Sequence, residues 1–274
     1  MLELTQLFYG SSARLGEPYL DFTNPFHRKP NLNYQWTQLT DEKLEQAWAL
    51  LPYRGRRARL VVEVGSFLGR SSVRIAQWLK RREAAAAAAG EAASVVPLLC
   101  IDTWLGDLGM LLGQIYPEEM GRRFGHSTLY HVWLSNMIAM NLTERVLPLV
   151  APSLLGARAL EFLRLAADVI YLDSAHEQRE TFMELTSFWP LVRPGGLLIG
   201  DDFNWKAVSH DTQLFARTHN LTVRSFDGCH ERLRDPKGGG LCVWYLQKPT
   251  SERFRGQIER RPKLRDWRSQ PHMR

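Results

Sequence analysis

Three aspartates follow apolar runs that have the composition of buried strands. The run DVIYLD ends in Asp173, and the run GGLLIGDD ends in Asp201 and Asp202. If the two strands are neighbours in a parallel sheet, the three carboxylates meet at one edge and raise one another's pKa values. A divalent cation removes that conflict, and oxygen ligands suit Mg²⁺ or Mn²⁺. The pattern therefore predicts a metal site of Asp173, Asp201 and Asp202, with N-capping or loop solvation as the alternative.

His176 follows Asp173 by three positions in VIYLDSAHEQRE. That separation is short enough for both side chains to face one pocket at the end of the strand. An imidazole with the ordinary pKa of about 6.5 is available as a neutral base at neutral pH. We predict His176 and Asp173 as catalytic residues, with His176 taking a proton from a hydroxyl. The alternatives are that His176 caps a helix beginning near Glu177, or supports the metal acids.

A glycine-containing turn and a further acid belong to a second group. VVEVGSFLG places Gly65 and Gly69 between an apolar run and a helical pattern, where helix N–H groups are unpaired. The spacing G-x-x-x-G differs from the dinucleotide fingerprint G-x-G-x-x-G, which argues against a nicotinamide oxidoreductase. Asp102 ends the next apolar run, and an acid at that position typically binds ribose hydroxyls. The glycines also fit a purely structural role in tight packing.

Apolar runs alternate with helix-spaced segments as far as residue 248. This alternation predicts an α/β fold with a doubly wound, mostly parallel sheet, an antiparallel last strand and an irregular N-terminal extension. We divide the chain into an extension or lid with one helix (1–56), a catalytic domain (57–249) and a basic tail (250–274). The alanine-rich segment at 83–94 is expected to extend a helix at the surface.

Charge and cysteine content indicate which partners and which cellular compartment to expect. The net charge is +6, and residues 251–274 carry eight Lys or Arg against three Asp or Glu. A basic tail can bind RNA, but it is more often a solvated terminus. The three cysteines lack metal-site spacing, which predicts reduced thiols. No membrane span or secretory signal is visible, so we expect a cytoplasmic protein without a membrane partner.

The motifs VEVGSFLG, IDTWLGD, VIYLDSAHE and LVRPGGLLIGDD resemble class I S-adenosylmethionine-dependent methyltransferases. The chain is most similar to the metal-dependent O-methyltransferase group, including its catechol-type and macrolide-sugar and cephalosporin-hydroxylase-like branches. The resemblance implies that Asp173, Asp201 and Asp202 bind the metal and that His176 stands where catechol-type enzymes commonly carry a lysine base. It also implies that the cofactor is held by Glu63, Gly65, Ser66, Gly69, Ser71, Asp102 and Ser153.

The expected function is transfer of a methyl group from S-adenosylmethionine, assisted by Mg²⁺ or Mn²⁺, to a hydroxyl of a small molecule. Phenols, sugars and hydroxylated natural products are the expected acceptors. An RNA methyltransferase that uses the basic tail and a non-catalytic cofactor-binding module are the alternatives. Nucleic acid is disfavoured as a partner because the charge belongs to the tail, and homo-oligomer formation is left open.

Overall fold

The protein is described by a computed structural model that covers residues 1–32, 37–52, 59–91, 95–174, 176–232 and 242–250. Within these ranges one sheet has the order β3-β2-β1-β4-β5-β7-β6. Its strands are β1 (Val61–Val64), β2 (Leu98–Asp102), β3 (Val146–Val150), β4 (Ala167–Leu172), β5 (Val192–Gly200), β6 (Arg224–Ser225) and β7 (Trp244–Gln247).

Among the described residues, two helices precede β1, and the others alternate with the strands along the chain. The helices are α1 (Leu2–Tyr9), α2 (Asp41–Ala49), α3 (Arg70–Ala88), α4 (Leu108–Leu111), α5 (Pro117–Met120), α6 (Leu129–Ala139), α7 (Ser153–Phe162), α8 (Glu180–Phe188), α9 (Lys206–Thr218) and α10 (Cys229–Arg232). A 3₁₀ turn (Trp189–Leu191) joins α8 to β5. In the part of the chain that is described, no helix is long and apolar enough to cross a membrane.

The strand arrangement confirms the predicted fold class. Strands β1 to β5 are parallel, and two separate apolar clusters cover the two faces of the sheet. β7 is antiparallel to both β5 and β6. The last residues of β1, β4 and β5 are register partners. Gly65, Asp173 and Asp201, which come next in the chain, therefore lie along one edge.

The N-terminal region contains two helices within the described residues, whereas the sequence predicted one. Thr40 caps α2, as expected, by accepting a hydrogen bond from the Lys43 amide at 3.3 Å. α1 was missed because its eight residues, LELTQLFY, lack a capping side chain at the N-terminal end. Contacts with the domain, such as the burial of Leu4 in one of the apolar clusters, support so short a helix.

The segment between the two N-terminal helices is attached to the catalytic domain by polar contacts. The Asn136 side chain accepts from the Asn31 amide at 2.7 Å and donates to the Asn31 and Leu68 carbonyls at 2.9 and 2.7 Å. Arg28 donates to the Glu119 carbonyl at 2.7 Å. The alanine-rich segment continues α3 to Ala88, as predicted. The basic tail at 251–274 lies outside the described residues.

The prediction that all three thiols are reduced is wrong. Cys229 and Cys242 form a disulfide with a Cα–Cα distance of 5.6 Å, while Cys100 is a buried free thiol in β2. The pairing depends on β7 lying between β5 and β6, which brings Cys242, two residues before β7, next to α10. Sequence spacing alone could not indicate that proximity.

Reduction of this disulfide is expected to destabilise the protein. Its two cysteines are 13 positions apart, and closing a loop of about that length stabilises a fold by about 3 kcal/mol in the chain-entropy account. Thermal unfolding with and without a reductant measures the effect. Thiol titration of the unfolded, unreduced protein should count one cysteine, and a count of three would contradict the assignment.

Candidate functional site

An acidic cluster with one histidine lies at the carboxyl edge of the sheet. Asp173 follows β4, Asp202 follows β5, and His176 belongs to the loop after Asp173. One ligand atom from each of the three lies within 4.8 Å of the others. The Nε2 atom of His176 is 2.8 Å from Oδ2 of Asp202. The arrangement could hold a metal ion with two carboxylates and one imidazole.

Asp201, the remaining predicted ligand, is turned toward other partners. Its Oδ2 accepts from the Tyr171 hydroxyl at 2.8 Å, and its Oδ1 accepts from the Asp202 amide at 2.9 Å. The same hydroxyl is 3.4 Å from Oδ2 of Asp173, so Tyr171 connects Asp201 to the cluster. Asp202, whose φ is 56°, has a different partner, since its Oδ2 contacts His176. The predicted acids therefore converge, with His176 rather than Asp201 in the tight group.

The electrostatics of the cluster favour a cation. Burial, followed by the charges of Asp201 and Asp202, holds the pKa of Asp173 well above its ordinary value. Burial and the charge of Asp202 also raise the pKa of Asp201. Buried carboxylates with this degree of mutual repulsion are the environment in which a divalent ion is stabilising. The residues present thus fit a metal, and the imidazole makes Mn²⁺ at least as suitable as Mg²⁺.

His176 is held by Asp202 on one side and by an aromatic ring on another. The rings of His176 and Trp205 are 4.9 Å apart, and Trp205 is half exposed. Burial lowers the pKa of His176, but the hydrogen bond to Asp202 and its charge outweigh that effect and raise the pKa. Its Nδ1 atom is buried without a partner among the described residues. The contacts with Asp202 and Trp205 therefore orient the imidazole ring, and Nδ1 is the nitrogen that could accept a proton.

The turn between β1 and α3 needs its two glycines for packing. Gly65 has a φ of 84°, and a Cβ there would lie 2.0 Å from the Asp173 carbonyl oxygen. Gly69 has a φ of 88°, and a Cβ there would lie 2.6 to 2.9 Å from the side chains of Met137 and Trp133. The structural explanation for both glycines is therefore correct. It does not exclude a ligand at the turn, which begins a long helix at the same edge as the acids.

Asp102 organises the same turn. Its Oδ2 accepts from the amides of Ser66 and Phe67 at 2.7 and 2.9 Å, and its Oδ1 accepts from the Trp104 amide at 2.7 Å. Burial raises its pKa, and these backbone donors oppose the rise. A carboxylate accepts about four hydrogen bonds, and the Thr103 amide is a fourth backbone donor to Asp102, so a ribose hydroxyl would share an oxygen with one of these amides. Asp102 therefore holds the loop, and its nucleoside-binding role stays a prediction.

Glu63 lies beneath the turn and is fully buried. Its Oε2 accepts from the hydroxyls of Ser66, at 2.7 Å, and Ser72, while burial raises its pKa and hydrogen bonds from Ser71 and its neighbours oppose the rise. Its Oε1 is buried without a partner among the described residues. The structure therefore places three predicted cofactor residues, Glu63, Ser66 and Ser71, in a polar cluster that supports the turn from inside.

Ser153, the predicted neighbour of the adenine, is the first residue of α7 and hydrogen-bonds Glu184. Glu184 also accepts from the Ser174 hydroxyl at 2.8 and 2.9 Å, and burial raises its pKa. Sequence reasoning did not identify Glu184, although an acid on the buried face of α8 beside Leu185 is a signal. No sequence signal distinguished Trp205.

A family model described as a methyltransferase domain matches residues 62–203, slightly more than half of the chain. No curated protein matches significantly. Similar solved structures include a Bacillus cereus O-methyltransferase in complex with SAH (16% identity, 90% of this chain and 100% of that chain, TM-score 0.49). Another is the O-methyltransferase TomG from Streptomyces achromogenes, involved in tomaymycin synthesis and in complex with SAM. It has 16% identity, the match covers 76% of this chain and 80% of that chain, and the TM-score is 0.46. A third is CalS11, a calicheamicin methyltransferase, with 14% identity and a TM-score of 0.47. That match covers 74% of this chain and 76% of that chain.

Proposed function

The chain belongs to the methyltransferase family whose domain it matches, and on that premise we propose that it transfers a methyl group from S-adenosylmethionine to a hydroxyl of a small molecule. The observation that carries the proposal is the position of the acidic cluster. Asp173, His176 and Asp202 lie at the same sheet edge as the turn at Gly65 and the carboxylate of Asp102. A methyl donor at the turn would thus be close to an acceptor at the cluster.

S-adenosylmethionine supplies a methyl group that is already activated on a sulfonium. The task of the protein is therefore to bring acceptor and donor together and to assist loss of the acceptor proton. In this proposal Asp102 binds the ribose and keeps the turn in place. Glu63, Ser66 and Ser71 hold the turn from beneath, and Gly65, Gly69 and Ser153 border the cofactor.

Asp173 and Asp202 are the proposed metal ligands, whereas both oxygens of Asp201 already accept hydrogen bonds, from Tyr171 and from the Asp202 amide. When bound, a divalent cation would orient the acceptor hydroxyl and lower its pKa. His176 takes the hydroxyl proton at Nδ1, which has no partner among the described residues, while Nε2 donates to Asp202, whose charge stabilises the imidazolium. Trp205 keeps the imidazole ring in position.

Replacement of Asp102 by alanine is expected to weaken S-adenosylmethionine binding roughly tenfold to a hundredfold, since a hydrogen bond to a charged group contributes about 1.5–3 kcal/mol. Calorimetric titration measures the change. Asp168→Ala is the matched control, because Asp168 accepts the Arg59 and Leu60 amides at the opposite edge at 2.6 and 3.1 Å. Binding of a nicotinamide dinucleotide and none of S-adenosylmethionine would contradict the proposal.

Activity is tested by incubating the protein with S-adenosylmethionine, Mg²⁺ or Mn²⁺ and a panel of phenols, catechols, sugars and hydroxylated natural products. Mass spectrometry should detect a methyl ether together with S-adenosylhomocysteine. Methylation of RNA alone would instead favour the RNA methyltransferase alternative. Cofactor binding without any methyl transfer across the panel would favour a non-catalytic binding module.

A further inference from the structure

Five large apolar side chains are exposed in one short segment after β2. We call residues 105–115 the apolar lip, because Leu105, Leu108, Leu111, Leu112 and Ile115 are between 40% and 62% exposed. Scattered exposed leucines are normal, but five exposed apolar side chains within eleven consecutive residues indicate a binding surface. The lip contains a single charged residue, Asp107, whose carboxylate caps α4 by accepting from the Met110 amide at 2.8 Å.

The lip and the acidic cluster lie at the same edge of the sheet. The lip follows the carboxyl end of β2, on the edge where the ligand-binding crevice of an open α/β sheet is found. The ring of Tyr116, the residue after the lip, is 5.6 Å from that of Phe67 in the turn after β1. Burial raises the pKa of Tyr116, and the charges of nearby acids, including Asp202, raise it further. Both the turn and the cluster are thus neighbours of the lip.

Trp205 provides a second exposed apolar surface beside the cluster. Its indole packs against His176 at 4.9 Å, and its amide donates to the Asp202 carbonyl at 2.8 Å. Half of the side chain remains exposed. An acceptor whose hydroxyl reaches the cluster would therefore have apolar protein surface on more than one side.

The charges near the lip are of both signs. Asp107, Glu118 and Glu119 lie within residues 105–121, and Arg122, which follows them, donates to the Met110 carbonyl at 2.8 Å and to that of Leu111. A bound divalent cation would offset the charges of Asp173 and Asp202. The exposed apolar side chains, rather than charge, are therefore the feature that distinguishes between acceptors.

We propose that the acceptor has an extended apolar portion, which packs on the apolar lip while its hydroxyl lies at the cluster. This inference rests on the proposed function for the position of the hydroxyl. It goes further by assigning a binding surface to the part of the acceptor that does not react. The lip and Trp205 then act in specificity, through contacts with the part of the acceptor that does not react.

The test uses catechols that carry no alkyl chain or a methyl, butyl or hexyl chain on the ring, as uncharged probes with a constant head group. Their dissociation constants are measured calorimetrically with the full chain, S-adenosylhomocysteine and Mn²⁺, which prevents turnover. Each added methylene that is buried should tighten binding roughly twofold to fourfold. A hexyl chain that ends in a carboxylate should lose this gain.

Leu108→Ser/Leu112→Ser removes two exposed lip side chains that are 54% and 62% exposed. Leu15→Ser is the matched control, because Leu15 is 54% exposed and lies in the N-terminal segment. The dependence of binding on chain length should weaken in the double variant and persist in the control. Methyl transfer to the same catechols is measured in parallel as kcat/KM.

The results separate the two proposals. Chain-length dependence that disappears in the double variant supports the lip as a binding surface, even if no catechol is methylated, in which case only the proposed function fails. Methylation with affinities independent of chain length overturns the inference and leaves the proposed function intact. Chain-length dependence that both variants retain, tighter binding of the carboxylate-ended probe, or no binding of any probe also overturns the inference.

Discussion

Replacing His176 by alanine should lower kcat by about 10²–10⁴-fold, the usual consequence of losing a general base. The expectation rests on the position of the ring: Nε2 is 2.8 Å from Asp202, and Trp205 packs against one face. Affinity for S-adenosylmethionine should be nearly unchanged, because the turn at Gly65 and Asp102 make no hydrogen bond with His176. Initial rates and calorimetry of the same variant measure the two effects separately.

His210→Ala is the matched control for this experiment. His210 also pairs with an aspartate, Asp211, at 3.1 Å, but it lies on α9 and its side chain is 56% exposed. Its replacement should leave kcat close to that of the unmodified chain. Added imidazole should partly restore activity to His176→Ala, as expected for a missing base. Near-normal kcat in His176→Ala would mean that the base is elsewhere, and loss of metal affinity without rescue would identify His176 as a ligand.

Removal of divalent cations is expected to abolish turnover, by a factor on the order of 10³, because Lewis-acid stabilisation contributes several kcal/mol. Mg²⁺ or Mn²⁺ should restore the activity after a chelator has been removed. The physical reason is the mutual repulsion in the cluster, where burial and neighbouring charges raise the pKa of Asp173. Full activity in excess chelator would show that the acids have a structural role.

Variants of the acids distinguish between two possible metal sites. One has Asp173 and Asp202 as carboxylate ligands, and the other also includes Asp201. Asp173→Asn and Asp202→Asn should lose the increase in Tm that Mn²⁺ produces, since a ligand that binds only the folded state stabilises it. Asp201→Asn should retain more of that increase, because both oxygens of Asp201 already accept hydrogen bonds, from Tyr171 and from the Asp202 amide. Equal loss in all three variants would instead favour the all-aspartate site that the sequence predicts.

Several features of the fold and the site were predictable because they depend on local patterns. The alternation of apolar runs and helical spacing identified a doubly wound sheet, and parallel strands with a common hand of crossover end at one edge. For that reason Gly65, Asp102, Asp173 and Asp201 could be placed at the same edge without coordinates. Thr40 as the cap of α2 likewise follows from the preference of hydroxyl side chains for that position.

The direction of each side chain at the edge depended on tertiary contacts. Asp201 and Asp202 are adjacent in sequence, yet Asp201 accepts from Tyr171 whereas Asp202 contacts His176. The disulfide between Cys229 and Cys242 depends on the position of β7 inside the sheet. Sequence periodicity reports which face of an element is buried. Which neighbours a side chain at the end of that element meets is set by strand order, register and packing between segments that are far apart in the chain.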